Sequence, residues 1–257
     1  MIRRRVPALG RLYGAIAVTT SPPTAPAVNA LLAELGVYAG TPRTNARGPL
    51  YRLALRRALA TGADRVHYLD FDRALHWVAT RPRELAAVLR VAERHPALVI
   101  GRTIAAHRSH HRPLFETERA ANARLAARLG LERRVDFLVP SFALTRSLVT
   151  ALLRRSRARD ASIYGEWPAL LATLGVPLAY GECRGLDWET PDRARAEVRR
   201  VGLTAWRHAF DTPAEWNARR AMAADIARGF RAAAGRRPFS LCLSRLRIGS
   251  TQDLLRV

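Results

Sequence analysis

The apolar positions of this chain fall into short runs separated by longer stretches with helical spacing. Leu12 to Thr20 (LYGAIAVTT) is an apolar run ending in small hydroxyl residues and followed by Ser21-Pro22-Pro23, so it predicts a buried strand that exits into a loop. Thr24 to Leu35 carries apolar residues at helical spacing and meets a stop signal at Gly36. A polar loop from Thr41 to Gly48 leads to a predicted helix from Pro49 to Ala60, which has an arginine face (Arg52, Arg56, Arg57) and closes at Thr61-Gly62. Arg65 to Leu69 predicts a strand running straight into Asp70-Phe71-Asp72. Pro82 to Arg94 predicts a helix and Ala97 to Arg102 (ALVIGR) another buried strand. Strands separated by helices argue for a mainly parallel α/β sheet, with functional groups at the carboxyl ends of the strands. The loop after Thr20, the Asp70–Arg73 turn and the Arg102-Thr103 exit occupy such ends.

The second half continues the pattern less regularly. Thr117 to Leu129 predicts a helix, and Val135 to Thr145 (VDFLVPSFALT) is β-like with a break at Pro140. Arg146 to Arg155 and Glu166 to Leu174 predict helices, with a strand at Val176 to Tyr180. From Pro191 the pattern is amphipathic and helical to about Ala234, and the tail from Gly235 predicts no element. No repeat or low-complexity linker divides the chain. The expected organisation is one α/β domain over residues 1–190 and a helical C-terminal extension over residues 191–257.

Composition removes several chemistries. Of the 257 residues 43 are basic, all of them arginine, against 21 acids, for a formal charge of +22. Without lysine there is no P-loop, no Schiff base, and no protein-kinase or Ser-Lys mechanism. A lysine-free, Ala- and Arg-rich composition is what GC-rich coding produces, yet the charge is physical once present. Residues 1–60 hold nine arginines and a single acid, Glu34, a setting that favours phosphate-bearing ligands. No apolar run reaches the roughly 20 residues of a membrane span, and the basic start of the chain has no long apolar stretch behind it to make a signal peptide. Cys183 and Cys242 form neither a disulfide framework nor a metal-ligand spacing. A cytoplasmic location is expected.

The sharpest candidate chemistry is Asp70-x-Asp72. Two carboxylates at a strand exit can converge on a hard cation, Mn²⁺ or Mg²⁺, whose shell substrate phosphates commonly complete. Around it stand a short strand, the loop Asn45-Ala46-Arg47-Gly48, a helix of the form Arg-x-x-Leu-x-x-Ala-Leu (Arg52 to Leu59), Gly62-Ala63-Asp64 and the apolar strand that ends in the acid pair. Over roughly residues 12–105 this resembles the nucleotide-binding half of family 2-like glycosyltransferases of the GT-A fold. The resemblance implies a Rossmann-type mixed sheet flanked by helices that binds a nucleoside-diphosphate sugar and a divalent metal. It implies Asp72 as the direct metal ligand and Asp70 at the metal or ribose. It places Thr19, Thr20, Ser21 and Asn45 at the nucleotide and Arg47 and Arg52 at phosphate or at the loop itself. Gly165-Glu166-Trp167-Pro168 stands where such enzymes often carry an acid, sometimes the base, although Trp167 replaces the Asp that follows it in many members. The family's usual acid at the end of the second strand has no counterpart in Val37 to Thr44.

The remaining candidates have plainer readings beside functional ones. An inverting transferase needs a carboxylate base, for which Glu166, Asp187 and Glu189 are the candidates. His107, His110 and His111 read first as a solvated loop and second as a metal or acceptor-phosphate contact. Glu116-Thr117-Glu118 reads as the acidic opening of a helix, with a second acceptor-site role as the alternative. Trp188, in the acid-rich stretch 185–192, reads as an exposed platform for a sugar or glycerate-like acceptor beside a Thr190-Pro191 helix start. Trp77, Trp206 and Trp216 read as packing residues. A haloacid-dehalogenase-like phosphatase fits Asp70-Phe71-Asp72 poorly, because the downstream acidic motif is missing. The expected activity is therefore metal-dependent transfer of a sugar from a nucleoside-diphosphate sugar to a hydroxyl acceptor, with no nucleic-acid partner expected. The alternatives are a catalytically degenerate GT-A-like scaffold and an arginine-rich nucleic-acid-binding protein.

Overall fold

The computed structural model describes residues 1–131, 134–235, 243–246 and 248, with the side chain of Tyr38 left aside. Cys242 and most of the tail after Gly235 lie outside the described residues. The elements in chain order are α1 (Ile2–Gly10), β1 (Ala17–Thr19), α2 (Pro26–Glu34), β2 (Tyr38–Gly40), α3 (Arg47–Ala60) and β3 (Arg65–Tyr68). Then come α4 (Phe71–Thr80), α5 (Pro82–Glu93), β4 (Ala97–Arg102), α6 (Ile104–Arg108), α7 (Arg112–Arg128) and β5 (Phe142–Thr145). The chain continues through α8 (Arg146–Arg155), α9 (Ile163–Thr173), β6 (Leu178–Cys183), α10 (Arg195–Val201), α11 (Leu203–His208), α12 (Pro213–Ala234) and β7 (Leu243–Leu246).

The fold is mixed α/β, a mixed sheet flanked by helices. Five strands run in the order β3-β5-β4-β6-β7, while β1 and β2 pair in parallel as a separate two-stranded sheet. The expectation of a mainly parallel sheet needs correction in its middle. β5 is antiparallel to both neighbours, with Tyr68 opposite Phe142 and Val99 opposite Phe142. β4, β6 and β7 are parallel.

β4 is buried at every position, which is why it reads as an unbroken apolar run. Two apolar clusters lie about the sheet. One joins Val99, Phe142 and Trp167 to α7, α9 and α12, and the other joins Leu98, Ile100 and Trp77 to α1, α2 and α5.

Several predicted elements shrink, for identifiable reasons. The β-like stretch from Val135 is a strand only from Phe142. Asp136 is turned inward to bind Arg102, its own N–H goes to the Tyr180 hydroxyl, and Pro140 has no N–H to give. The helical run from Pro191 divides into a single 3₁₀ turn at Thr190–Asp192 and three helices, with Gly202 at φ 81° separating α10 from α11. The segment after Asp70, left as a turn by pattern alone, is α4. Leu243–Leu246, in the tail that predicted no element, adds a parallel strand beside β6.

The C-terminal α12 packs on α7 and, through glycine, on α9. A Cβ at Gly165 would lie 2.0 Å from the Ile226 carbonyl oxygen, and one at Gly229 would lie 2.0 Å from that of Ser162. The two helix backbones therefore touch where neither has a side chain.

Candidate active site

Asp70 lies two residues beyond β3 and is the N-cap position of α4, so the Asp70–Asp72 pair lies at the strand exit that the sequence pattern marks. Two cavities meet there. The larger, about 870 Å³, opens between β1 and β3 and is lined by Thr19, Thr20, Ser21, His67, Asp70 and Asp72 among others. The smaller, about 280 Å³, also reaches Asp70 and is lined by Arg47, Arg73, Arg193 and Arg219, by Glu118 and Glu189, and by His110, Tyr164 and Trp188.

In the larger cavity Thr20 is held by Asn29 (2.8 Å) and Thr41 (2.7 Å), which join β1 to the residue after β2. Thr19 Oγ1 is buried without a partner. His67 shares a 2.7 Å hydrogen bond with the Tyr13 hydroxyl and one of 3.1 Å with Ser141, and burial lowers its pKa to about 4. The cavity thus has polar strand-end atoms on one side and the acid pair on the other.

Asp70 is weakly compensated. Its nearest partners are the Tyr51 hydroxyl at 3.5 Å and Arg73 Nε at 3.7 Å. Burial, opposed by Arg73 and reinforced by the carboxylates of Asp72 and Glu189, pushes its pKa up to about 6. Asp72 accepts from its neighbour's N–H at 3.0 Å and faces Arg193 at 3.3 Å. Two hard oxygen donors with a deficit of positive charge at Asp70 suit a divalent cation of the Mg²⁺ or Mn²⁺ class. Among the described residues no group of three His, Cys, Asp or Glu side chains is arranged to hold a metal ion, so the pair would rely on ligand oxygens to complete a shell.

The three candidate bases have different surroundings. Glu166 is buried and its oxygens accept from Arg157 N (2.6 Å), Ala158 N (2.8 Å) and Ser156 Oγ (2.5 Å), so it holds the loop after α8 and lines neither cavity. That loop seats α3. Gly48 lies so close that a Cβ there would stand 1.9 Å from the Ala158 oxygen, and Arg52 donates to the same oxygen at 2.6 Å. Arg52 therefore orients the loop, while Arg47, one turn earlier, reaches the small cavity and lies over the Tyr164 ring at 5.8 Å. Asn45 is exposed and lines neither cavity. Asp187 is engaged with His76 Nε2 at 2.9 Å, and His76 Nδ1 meets Asp192 at 3.1 Å, which Arg5 also contacts at 2.5 Å. Glu189 alone of the three lines the small cavity, and its Oε2 is buried with no hydrogen-bond partner, 3.9 Å from Arg73.

Other readings are corrected by burial. The histidines are not a solvated loop: His107, His110 and His111 are all buried, and His111 stacks on Phe210 with ring centres 5.0 Å apart. Trp188 is buried rather than exposed, packed 5.0 Å from Trp206, though it still lines the small cavity. Of the three packing tryptophans Trp77 and Trp206 are buried, and Trp216 is half-buried between Arg112 and Arg220. Glu116-Thr117-Glu118 does not open its helix, which starts at Arg112 with His111 Nδ1 accepting from Leu114 N at 3.4 Å. Glu118 instead turns in to Arg102 at 2.5 Å, which holds its pKa down at about 2 against the effect of burial.

Pattern reading missed Arg73, Arg193 and Arg219. Arg73 directly follows the acid pair, and that adjacency was the available signal; the other two come from distant segments and had none. No protein-family model matches the chain, and comparison with curated proteins finds no match. Among the described residues no helix is long and apolar enough to cross a membrane.

Proposed function

We propose that the protein is a metal-dependent glycosyltransferase that moves a sugar from a nucleoside-diphosphate sugar to a hydroxyl acceptor. The observation that carries this reading is Asp70, whose carboxylate lines both cavities. A donor lying in the larger cavity would bring its diphosphate to the acid pair, and an acceptor in the smaller one would face the anomeric carbon. The volume of the larger cavity, about 870 Å³, is in the range that small-molecule sites occupy. The residues expected at the nucleotide, Thr19, Thr20 and Ser21, line it together with Asp70 and Asp72.

Asp70 and Asp72 would hold Mn²⁺ or Mg²⁺, which when bound supplies Lewis-acid neutralisation of diphosphate charge. The remaining work belongs to the chain. Arg73 and Arg193, which face Asp70 and Asp72, offer guanidinium N–H groups to phosphate oxygens. Glu189 is the base, because its Oε2 is buried in the small cavity with no hydrogen-bond partner and with Arg73 3.9 Å away. The acceptor oxygen bonds to the anomeric carbon as the bond from that carbon to the diphosphate oxygen breaks. The bonding pair leaves with the diphosphate, and the hydroxyl proton passes to Glu189 Oε2.

Thermal melting with UDP or GDP and Mn²⁺ tests the donor half. A nucleotide at 100 times its Kd stabilises by about 2.7 kcal/mol, a rise of several degrees. Asp72→Ala should abolish the Mn²⁺-dependent part of that rise. No shift with either nucleotide at millimolar concentration would overturn the reading.

A further inference from the structure

The small cavity also specifies what kind of acceptor it takes. Among the described residues seven buried side-chain nitrogen and oxygen atoms lack a hydrogen-bond partner, and three of them belong to residues lining this cavity: Arg73 Nη1, His110 Nε2 and Glu189 Oε2. His110 and Glu189 are 2% and 7% exposed, so water serves these atoms poorly. Their chemistry differs. Arg73 Nη1 can only donate. Glu189 Oε2 accepts. The His110 Nδ1 atom lies 3.2 Å from the Ala106 carbonyl oxygen, which can only accept, so Nδ1 carries the proton and Nε2 presents a lone pair. Burial and the nearby Arg102 and Arg73 keep that imidazole neutral by lowering its pKa far below the usual value. The cavity therefore offers two acceptors for ligand O–H groups and a surplus of N–H donors for an anion.

The arginines divide by position. Arg73 and Arg193 line the same cavity but are turned to acids at its Asp70 end: Arg73 to Asp70 and Glu189, and Arg193 to Asp72. Arg219 belongs to the opposite wall on α12. Its Nε is satisfied by Glu215 at 2.7 Å, and among the described residues its Nη2 has one hydrogen-bond contact, with the nitrogen His111 Nε2 at 3.5 Å. The other acid of that wall, Glu118, is already paired with the buried Arg102 and adds no second carboxylate to compete for Arg219.

We propose that the acceptor is a small polyhydroxylated anion, bearing a phosphate monoester or a carboxylate, with its anionic group on Arg219 and two hydroxyls on Glu189 and His110. This rests on the transferase reading for the word acceptor, and the site itself is separable from it.

Three probes with one carbon skeleton test it: glycerol 3-phosphate, glycerate and glycerol, each titrated by calorimetry with inorganic phosphate as a fourth. At least one anionic probe should bind, and which of the two binds more tightly identifies the group. Glycerol should bind at least tenfold more weakly than that probe. Arg219→Gln should weaken the anionic probe at least tenfold while leaving the nucleotide–Mn²⁺ melting shift unchanged, and Arg219→Lys should recover part of the loss. The idea is overturned if glycerol binds as well as the acids, if Arg219→Gln changes nothing, or if inorganic phosphate binds as tightly as glycerol 3-phosphate, which would leave the hydroxyl contacts without a role. Mutually exclusive binding of the anion and the nucleotide would also overturn it, since the arginines would then serve the donor diphosphate. Loss of the nucleotide shift alone, with Arg219-dependent anion binding intact, would refute the donor reading and leave the anion site standing.

Discussion

Glu166 and Glu189 are both buried glutamates, yet their oxygens face opposite kinds of partner. Three donors converge on Glu166, two of them main-chain N–H groups of the loop that seats α3. A glutamine there would point an amide N–H₂ at other donors, so Glu166→Gln is expected to destabilise by about 2–3 kcal/mol in urea unfolding. Glu189 has an oxygen with nothing to accept from. Glu189→Gln is expected to lower kcat by about 10²–10⁴-fold while the urea midpoint stays within about 0.5 kcal/mol of the wild type. The reverse pattern, a stability loss at Glu189 and a pure kcat loss at Glu166, would move the base to Glu166. Both glutamates are candidates in the sequence, Glu166 through the resemblance and Glu189 through its acid-rich loop. What separates them is the count of donors each meets, and those donors come from residues eight to ten positions away for Glu166. The histidines were misread for a related reason. His107, His110 and His111 sit among arginines and serines in the sequence, and their burial comes from Phe115, Trp188 and Phe210 packing against them.

The helices and strands were legible where one periodic face meets one core. Ala97 to Arg102 and Arg146 to Arg155 appear with the bounds that the pattern predicts, because each is a continuous apolar or amphipathic stretch between clear stops. The stretch from Val135 was not, since Asp136 answers to Arg102 rather than to a strand pattern. Nor was the contact between α9 and α12, which depends on Gly165 meeting the main chain of Ile226 and Gly229 that of Ser162. Gly165 is part of the Gly-Glu-Trp-Pro stretch that drew notice for its acid, yet the glycine has a packing reason of its own. Its virtual Cβ meets main chain, not the end of a flexible side chain, so the helices themselves must move apart. Gly165→Ala and Gly229→Ala are each expected to cost about 1–3 kcal/mol despite the higher helix propensity of alanine. α12 carries Arg219 on the wall of the small cavity, so the same substitutions should also weaken the anionic probe. A gain in stability at either glycine would show that the crossing has slack.

The arginine excess takes on a different meaning once its guanidinium groups are followed to their partners. Arg57 donates to Val18 O and Gly40 O, tying the ends of β1 and β2, and Arg146 donates to Leu59 O and Ala63 O beyond the end of α3. Arg146 does so through two nitrogens of its fork, Nε and Nη2, and Arg57 through Nη1 alone. The molecule nevertheless keeps its formal charge of +22, and acid makes that worse. His67 and His111 have pKa values near 4 in the folded protein against 6.5 for the free side chain, and burial also lowers that of His110 well below the usual value. For a depressed histidine the unfolded chain binds the proton first, so its share of stability is whole above pH 6.5 and is lost as the pH falls toward 4. Glu118, held at about 2, loses its share in the same direction but lower, as the pH drops below its ordinary 4.5. Asp70 works the other way, because its raised pKa lets the folded state gain a proton first near pH 6. His76, raised against burial by Asp187 and Asp192, works in the same direction as Asp70, but three depressed histidines outweigh these two, so the melting temperature should hold level from pH 8 to 7 and fall steeply between 6.5 and 4. His67→Gln keeps hydrogen-bonding groups for Tyr13 and Ser141 but cannot titrate there, and should remove about 2 kcal/mol of that fall. Calorimetric melting of both proteins across this range decides it, and a wild-type profile that stays level down to pH 4.5 would mean that these imidazoles meet water in the folded protein.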